Sequence, residues 1–141
     1  MLIPMKVDYG IRLVSFLASK PKGNLFKAQD ISKEKHIPFQ YLLQISNSLI
    51  KSELISGHRG PNGGYSLNKD PDDISIGDII RSLDHSVAPV ACIKSPEGCE
   101  LSGDCSQQEM WKTVEQLILN QLEKISIKSL NSEKINFESL I

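Results

Sequence analysis

Three cysteines carry the clearest chemistry in this sequence. Cys92, Cys99 and Cys105 lie within fourteen positions, separated by six and five residues in a stretch that contains prolines and glycines. Thiolates are soft ligands that bind iron-sulfur clusters as well as zinc. The spacings are wider than the two-residue pairs of zinc ribbons, so the pattern favours an iron-sulfur cluster. Zinc and three reduced, buried thiols are the alternatives.

A cluster bound by three cysteines needs a fourth ligand, from another side chain, the other subunit or a small molecule. An odd number of cysteines also fits poorly with a secreted disulfide framework. The N-terminus lacks the apolar run of a signal peptide, and no stretch approaches the roughly 18 apolar residues of a membrane span. We therefore expect a cytoplasmic protein that does not enter a membrane.

The net charge of -1 hides an asymmetry along the chain. Residues 1–69 carry ten basic and four acidic residues, a formal charge of +6, whereas the remainder carries six and thirteen, a charge of -7. A local basic field attracts phosphate whatever the total charge. The first part of the chain is therefore a candidate for contact with nucleic acid. A solvated surface of mixed sign is the alternative.

Two short helices in the basic part are predicted to form a helix-turn-helix. Apolar periodicity indicates a first helix over residues 5–19 and a short one over about 27–35. Pro38 suits the first position of the next helix, because its missing N–H costs nothing there. The connection at residues 36–37 is tight, as in motifs whose second helix enters the major groove of DNA. Helix pairs in bundles that bind no DNA are the alternative.

A glycine-rich hairpin is expected directly after these helices. Residues 54–57 and 65–67 are typical of strands, and they flank a loop with three glycines, one proline and no acidic residue. Such a loop can approach a phosphate chain closely, and Arg59 at its base can reach a minor groove. The position after a helix-turn-helix favours a wing over an ordinary hairpin with a solvated arginine.

The second part of the chain is expected to end in a helix that joins two subunits. Ser75 and Asp78 form a capping-box pattern at the start of a helix, and residues 84–107 are predicted to be irregular. Residues 106–125 then form a helix with a wide apolar face, which indicates dimerisation, with packing on its own domain as the alternative. From Ser126 onward the pattern has no clear period and predicts no element.

We therefore predict a mainly α chain with a small β-hairpin. A winged helix-turn-helix domain would occupy residues 1–84, a cysteine loop residues 85–106, and a dimerisation helix with its tail residues 107–141. The sequence has no nucleophile–base pair, phosphate loop or paired carboxylates at useful spacing, which argues against an enzyme.

Four segments resemble the Rrf2 family of winged-helix transcription regulators. They are residues 8–12 in the first helix, 37–42 in the recognition helix, 59–65 in the wing, and the cysteine loop followed by Trp111. The wing segment is the most specific, and the match covers nearly the whole chain. The resemblance implies a homodimer whose long helices cross, with an iron-sulfur cluster (2Fe-2S or 4Fe-4S) near the interface. It also implies a palindromic double-stranded DNA operator contacted by two recognition helices and two wings.

The same resemblance assigns seven residues to contact with DNA. By position they are Phe39, Gln40, Tyr41 and Gln44 on the recognition helix, and Arg59, Asn62 and Gly63 on the wing. Glutamine is suited to pairing with the edge of adenine. Tyr41 equally fits a phosphate contact.

The fourth ligand is the place where the sequence departs from part of the family. Some members complete a 2Fe-2S site with a histidine three residues after the last cysteine, where this chain has Gln108, a poor ligand. Others use an aspartate of the partner subunit's first helix, and Asp8 occupies the matching position, ahead of Glu109 and Glu100 as candidates. Asp8 can instead cap its helix or pair with Arg12, four residues on.

Two hypotheses of signalling follow from the resemblance. In the first, a change at the cluster alters the cysteine loop and hence the spacing of the recognition helices, which must match half-sites about 34 Å apart. In the second, the chain binds no cluster and responds to zinc, to thiol oxidation or to a partner enzyme of cysteine metabolism. Its acidic C-terminal part would then be the docking surface.

Overall fold

The computed structural model describes residues 3–83 and 85–132. In chain order its helices and strands are α1 (Met5–Ala18), α2 (Ala28–Lys35), α3 (Phe39–Lys51), β1 (Ile55–His58), β2 (Gly64–Leu67), α4 (Ile76–Ser82), α5 (Ala91–Lys94), α6 (Ser106–Glu123) and α7 (Ile127–Asn131). Short 3-10 turns lie at Pro71–Asp73 and Pro96–Gly98. The mostly helical fold with a two-stranded antiparallel hairpin confirms the predicted fold class.

Helix α1 is the scaffold of the fold. Val7, Leu13 and Val14 are almost completely buried, and the helix contacts α2, α3, α4 and α7. Gly10 permits its close approach to α4, because a Cβ atom there would lie 2.7 Å from Cδ1 of Leu83. The apolar spacing that predicted this helix therefore corresponds to its buried face.

The helix-turn-helix forms as the sequence predicted. Helix α2 ends at Lys35, and its C-cap residue His36 has a φ of 52°, in the left-handed region, which turns the chain toward α3. Ser32 Oγ donates a hydrogen bond to the Ile37 carbonyl at 2.6 Å, and Ile37 is buried. The buried stripe of α3 consists of Leu42, Ile45 and Leu49. This packing leaves the opposite face of α3 exposed to solvent.

The hairpin is anchored to the helical core at its base. Strands β1 and β2 pair antiparallel, with Ile55 opposite Leu67. Phe26, between α1 and α2, exchanges two backbone hydrogen bonds with Tyr65 of β2, at 3.0 and 2.8 Å. The loop between the strands therefore extends from a fixed base, as a wing requires.

Helix α4 packs against the C-terminal half of α6. Its predicted capping box is present, since Ser75 Oγ accepts from the Asp78 N–H at 3.0 Å and Asp78 Oδ2 accepts from the Ser75 N–H at 2.9 Å. Gly77 allows α6 to lie close, because a Cβ atom there would be 2.7 Å from Cγ of Glu123. Arg81 pairs with both Asp78 and Glu123.

The chain after α6 differs from the sequence prediction, which placed no element beyond Ser126. Helix α7 begins at Ile127, and the side chain of its N-cap residue Ser126 accepts from the Ser129 N–H. Ile127 is fully buried, and its N–H donates to the Ile74 carbonyl at 2.8 Å. A helix this short depends on tertiary packing rather than on its own periodicity. The apolar pattern therefore carried no signal for it.

The cysteine loop also contains more regular structure than predicted. Helix α5 and the turn at Pro96–Gly98 lie within the stretch that was expected to be irregular. Each is about one turn long, which is below the length at which apolar periodicity can be recognised. Helix α6 begins at Ser106, as predicted, and ends two residues before the expected Ile125.

Candidate DNA interface and cysteine loop

The exposed face of α3 presents polar side chains. Gln40 and Gln44 are exposed one turn apart, and Phe39 is 37% exposed at the start of the helix. Tyr41 is half-buried, because its ring packs edge-on against Tyr9 with centroids 5.4 Å apart. The two glutamines are therefore accessible from solvent, whereas the tyrosine ring is held by α1.

The wing residues differ in their exposure. Arg59 and Asn62 are exposed, whereas Gly63 is buried. The Gly63 N–H donates to the Gly60 carbonyl at 3.0 Å, and a Cβ atom on Gly63 would overlap the His58 carbonyl oxygen. Gly63 therefore shapes the turn of the wing, and Arg59 and Asn62 provide its accessible side chains.

A cleft of about 570 Å³ connects α3 to the wing. Its lining includes Lys27 at the start of α2, Asn47 and Ile50 on α3, and His58 and Arg59 on the wing. Lys27, Asn47 and His58 were not among the predicted DNA contacts. Asn47 lies three residues after Gln44 on the same helix, so the spacing alone could have placed it beside the predicted contacts. The cleft makes α3 and the wing parts of one surface.

The three cysteines lie on different parts of the cysteine loop. Cys92 is on α5, Cys99 follows the 3-10 turn, and Cys105 is the N-cap residue of α6. All three are free thiols of intermediate burial. Within residues 3–83 and 85–132, no three histidine, cysteine or acidic side chains are grouped as a metal site. The donor chemistry therefore suits a soft metal, but the thiols are not gathered around one.

The three acidic side chains considered as a fourth ligand are each paired with a basic residue or exposed to solvent. Asp8 accepts a hydrogen bond from Arg12 Nη2 at 2.6 Å, the helical pairing that its spacing allowed. Glu109 pairs with Lys112 at 2.8 Å, and Glu100 is exposed. None of these carboxylates joins a cysteine group in the described ranges.

The start of the cysteine loop has positively charged surroundings. Burial lowers the pKa of His85 below its usual range, and the charges of Lys6 and Lys94 lower it further. Lys94 belongs to α5, which also carries Cys92. Lys6 and Lys94 therefore give the start of the cysteine loop a positive electrostatic potential.

Comparison with known proteins identifies the family. The family described as "Iron-dependent Transcriptional regulator" (Rrf2) matches residues 3–133. The chain belongs to the Rrf2 family. The HTH-type transcriptional regulator IscR of Serratia proteamaculans (strain 568) is 35% identical over 130 residues, which cover 92% of this chain and 79% of that protein.

Two solved structures of named regulators share the fold of this Rrf2 chain. CymR, "the Global Cysteine Regulator of B. subtilis", matches with a TM-score of 0.76 and 27% identity, covering 95% of this chain and 98% of CymR. T. potens IscR matches with a TM-score of 0.75 and 26% identity, covering 94% and 88%. The relatives are named transcription regulators, which confirms the prediction that the chain has a non-enzymatic function. In the described part of the chain, no helix combines the length and apolarity needed to cross a membrane.

In this Rrf2 regulator Gln108 makes contacts within the cysteine loop. Its Oε1 accepts a hydrogen bond from the Gly103 N–H at 3.2 Å, and its Nε2 donates to Ser102 Oγ at 3.4 Å. The position that was expected to lack a good metal ligand therefore holds the loop by hydrogen bonds. The sequence alone did not indicate this role.

Proposed function

We propose that this Rrf2 regulator binds a palindromic double-stranded DNA operator as a homodimer, under the control of an iron-sulfur cluster on its cysteine loop. The observation that carries the proposal is the position of three free thiols on the loop that connects α4 to α6. The loop lies between α4, at the end of the proposed DNA-binding domain, and α6, which exposes Met110 and Leu117 to solvent. A ligand bound there can act on both.

On the DNA side, α3 and the wing would make different kinds of contact. Gln40 and Gln44 are exposed on a helix that is held by its buried stripe, so both can pair with base edges in the major groove. Arg59 and Asn62 would contact the backbone or the minor groove. The other proposed interface residues are Phe39, Tyr41 and Gly63, which border these four. The formal charge of +6 on residues 1–69 would attract the phosphates.

On the dimer side, α6 has apolar side chains beyond those that pack on its own subunit. Ile118 and Leu122 pack against the core, whereas Met110 and Leu117 are 50% and 57% exposed on another side of the helix. No residue of α6 is fully buried in the single chain. An exposed apolar stripe on a long helix favours a symmetric contact with the same helix of a second copy.

The cysteine loop would hold the cluster through Cys92, Cys99 and Cys105, with Asp8 of the other subunit as the proposed fourth ligand. When bound, a cluster of this kind accepts and donates electrons and reacts with oxygen or nitric oxide. The description of the family as iron-dependent supports iron at this loop. Since the thiols are not gathered, the loop must close when it binds metal, and Asp8 must leave Arg12. Loop closure would then alter the spacing of the two recognition helices.

The test is a visible absorption spectrum, with iron and acid-labile sulfide assays, on protein purified without oxygen. We expect coloured protein with matching amounts of iron and sulfide, and loss of both in Cys99→Ala. Asp8→Ala should then change the spectrum or hasten cluster loss, whereas Glu100→Ala, a matched change on an exposed carboxylate, should not. Colourless wild-type protein without iron would overturn the proposed cofactor and leave the DNA-binding function to be measured separately.

A cluster-free mechanism is the second candidate. It is favoured by the cysteines, which are free and ungrouped in the described residues, and by the likeness to a regulator named for cysteine. The chain would then respond to zinc, to thiol oxidation or to a partner enzyme of cysteine metabolism. Recovery of such an enzyme with colourless, iron-free protein would favour this candidate over the first.

A further inference from the structure

We infer that Gln108 is a positioning residue that sets the arrangement of Cys99 and Cys105 before any metal binds. The inference rests on the proposed role of the cysteine loop as the sensing site. Gln108 lies in the first turn of α6, three residues after the N-cap residue Cys105. A side chain at this position can reach back over the residues that precede the helix, as in a capping box.

Both ends of the Gln108 carboxamide bind the loop. The acceptor Oε1 takes the Gly103 N–H at 3.2 Å, and the donor Nε2 binds Ser102 Oγ at 3.4 Å. Gly103 has a φ of 93°, a left-handed conformation that favours glycine and directs its N–H toward the helix. The carboxamide therefore connects the loop to α6 through two adjacent residues.

The segment held by Gln108 includes the connection between two cysteines. The Ser102 N–H donates to the Cys99 carbonyl at 3.1 Å, which closes a turn that begins at Cys99. The Asp104 N–H closes a second turn at 3.1 Å, and Cys105 follows it at the start of α6. Because Gln108 joins these turns to the helix, its side chain limits how far the two thiols can move apart.

The chain provides its own controls for this role. Gln107, in the same turn of α6, accepts a hydrogen bond from Trp111 Nε1 at 3.3 Å, and its side chain makes no hydrogen bond to the loop in the described residues. Cys92 lies on α5, outside the two turns. A general effect of losing a glutamine would appear in Gln107→Ala, and a general loosening of the protein would change the reactivity of Cys92.

The experiment measures the alkylation rate of each cysteine by mass spectrometry, using iodoacetamide on the reduced, metal-free full chain. In Gln108→Ala we expect Cys99 and Cys105 to react about fivefold faster, the factor that corresponds to the loss of one ordinary hydrogen bond. Cys92 should keep its wild-type rate. Gln108→Glu should not react faster than wild type, because a carboxylate can accept from both the Gly103 N–H and the Ser102 hydroxyl.

Amide hydrogen exchange and metal release complete the test. Exchange at the Gly103 N–H should also be faster in Gln108→Ala, and reconstituted protein should lose iron to a chelator faster than wild type. Wild-type rates at Cys99 and Cys105 in Gln108→Ala, or an equal increase in Gln107→Ala, would overturn the inference. If wild-type protein takes up no iron, the proposed cofactor fails, while the alkylation rates still decide the role of Gln108.

Discussion

Arg59 is exposed at the start of the wing, beside the cleft that connects α3 to the wing. It makes no side-chain hydrogen bond or ion pair within residues 3–83 and 85–132, so its removal should leave the fold intact. We expect Arg59→Ala to weaken operator binding by about 1–3 kcal/mol, as is typical for an arginine at a DNA groove. Fluorescence anisotropy at fixed salt, with a thermal melt of each protein, measures both quantities.

The matched control for Arg59→Ala is Lys124→Ala. Lys124 is exposed at the C-terminal end of α6, in the acidic part of the chain. Its substitution removes one positive charge, as Arg59→Ala does. An equal loss of affinity in both variants would indicate a general charge effect rather than a contact. Unchanged affinity in Arg59→Ala would remove this residue from the interface.

Asp8 shows how far reasoning from single residues extends. Its spacing from Arg12 predicted a helical ion pair as one possibility, and the structure contains that pair at 2.6 Å. Arg12 also donates to the Lys35 carbonyl at 3.2 Å, at the end of α2, which no local pattern indicated. The role of Asp8 as a metal ligand stays a prediction, because it depends on the partner subunit.

At the scale of elements, the capping box of α4 makes the stability of the fold depend on pH. Burial raises the pKa of Asp78, but hydrogen bonds from Ser75 and the hydrogen bond and charge of Arg81 outweigh it and lower the pKa below its usual range. A lowered pKa in the folded state means that the stabilisation is present above about pH 4, the unfolded value, and is lost as pH falls through the folded value.

We therefore expect the free energy of unfolding to decrease between about pH 5 and pH 3, and to decrease less in Asp78→Asn. The isosteric amide keeps an acceptor for the Ser75 N–H but does not titrate. Urea denaturation at each pH measures the difference. Glu97→Gln, at an exposed position in the 3-10 turn, is the control and should follow the wild-type profile. Identical profiles for wild type and Asp78→Asn would contradict the assignment.

Elements with periodic apolar residues or a recognisable local motif were predictable, and the two shortest helices were not. Helix α3 buries Leu42, Ile45 and Leu49 at helical spacing, and its predicted first residue, Pro38, lies one position before the observed start at Phe39. Helices α5 and α7 are four and five residues long, and α7 buries only Ile127. Such short helices form because neighbouring segments supply their partners, as Ile74 does for Ile127.

At the scale of the whole molecule, α6 has more apolar surface than one chain covers. Leu117 is 57% exposed, so burying the rest of its side chain contributes about 1–2 kcal/mol, twice in a symmetric dimer, and a carboxylate at this position adds the cost of its own burial. We expect Leu117→Asp to raise the dimer dissociation constant at least about 100-fold. Sedimentation equilibrium measures the constant, and operator binding should weaken in parallel because a palindrome needs both subunits.

Gln116→Asp is the control for the dimer prediction. Gln116 is exposed beside Leu117 but on the polar side of α6, where it binds Asn120. Its substitution adds the same charge without removing apolar surface, so the dimer should persist. A monomeric wild-type protein, or dissociation by both substitutions to the same extent, would contradict a symmetric contact through the apolar stripe.

The sequence by itself determined the helix-turn-helix, the hairpin that follows it and the family, because these depend on apolar periodicity, glycine placement and local motifs. It also indicated which residues can contact DNA and which can bind metal. Only the tertiary structure decided that Tyr41 packs on Tyr9, that Gly63 is buried in the wing and that Gln108 binds the cysteine loop. These features depend on the distance between segments that fold together, and no spacing along the chain encodes that distance.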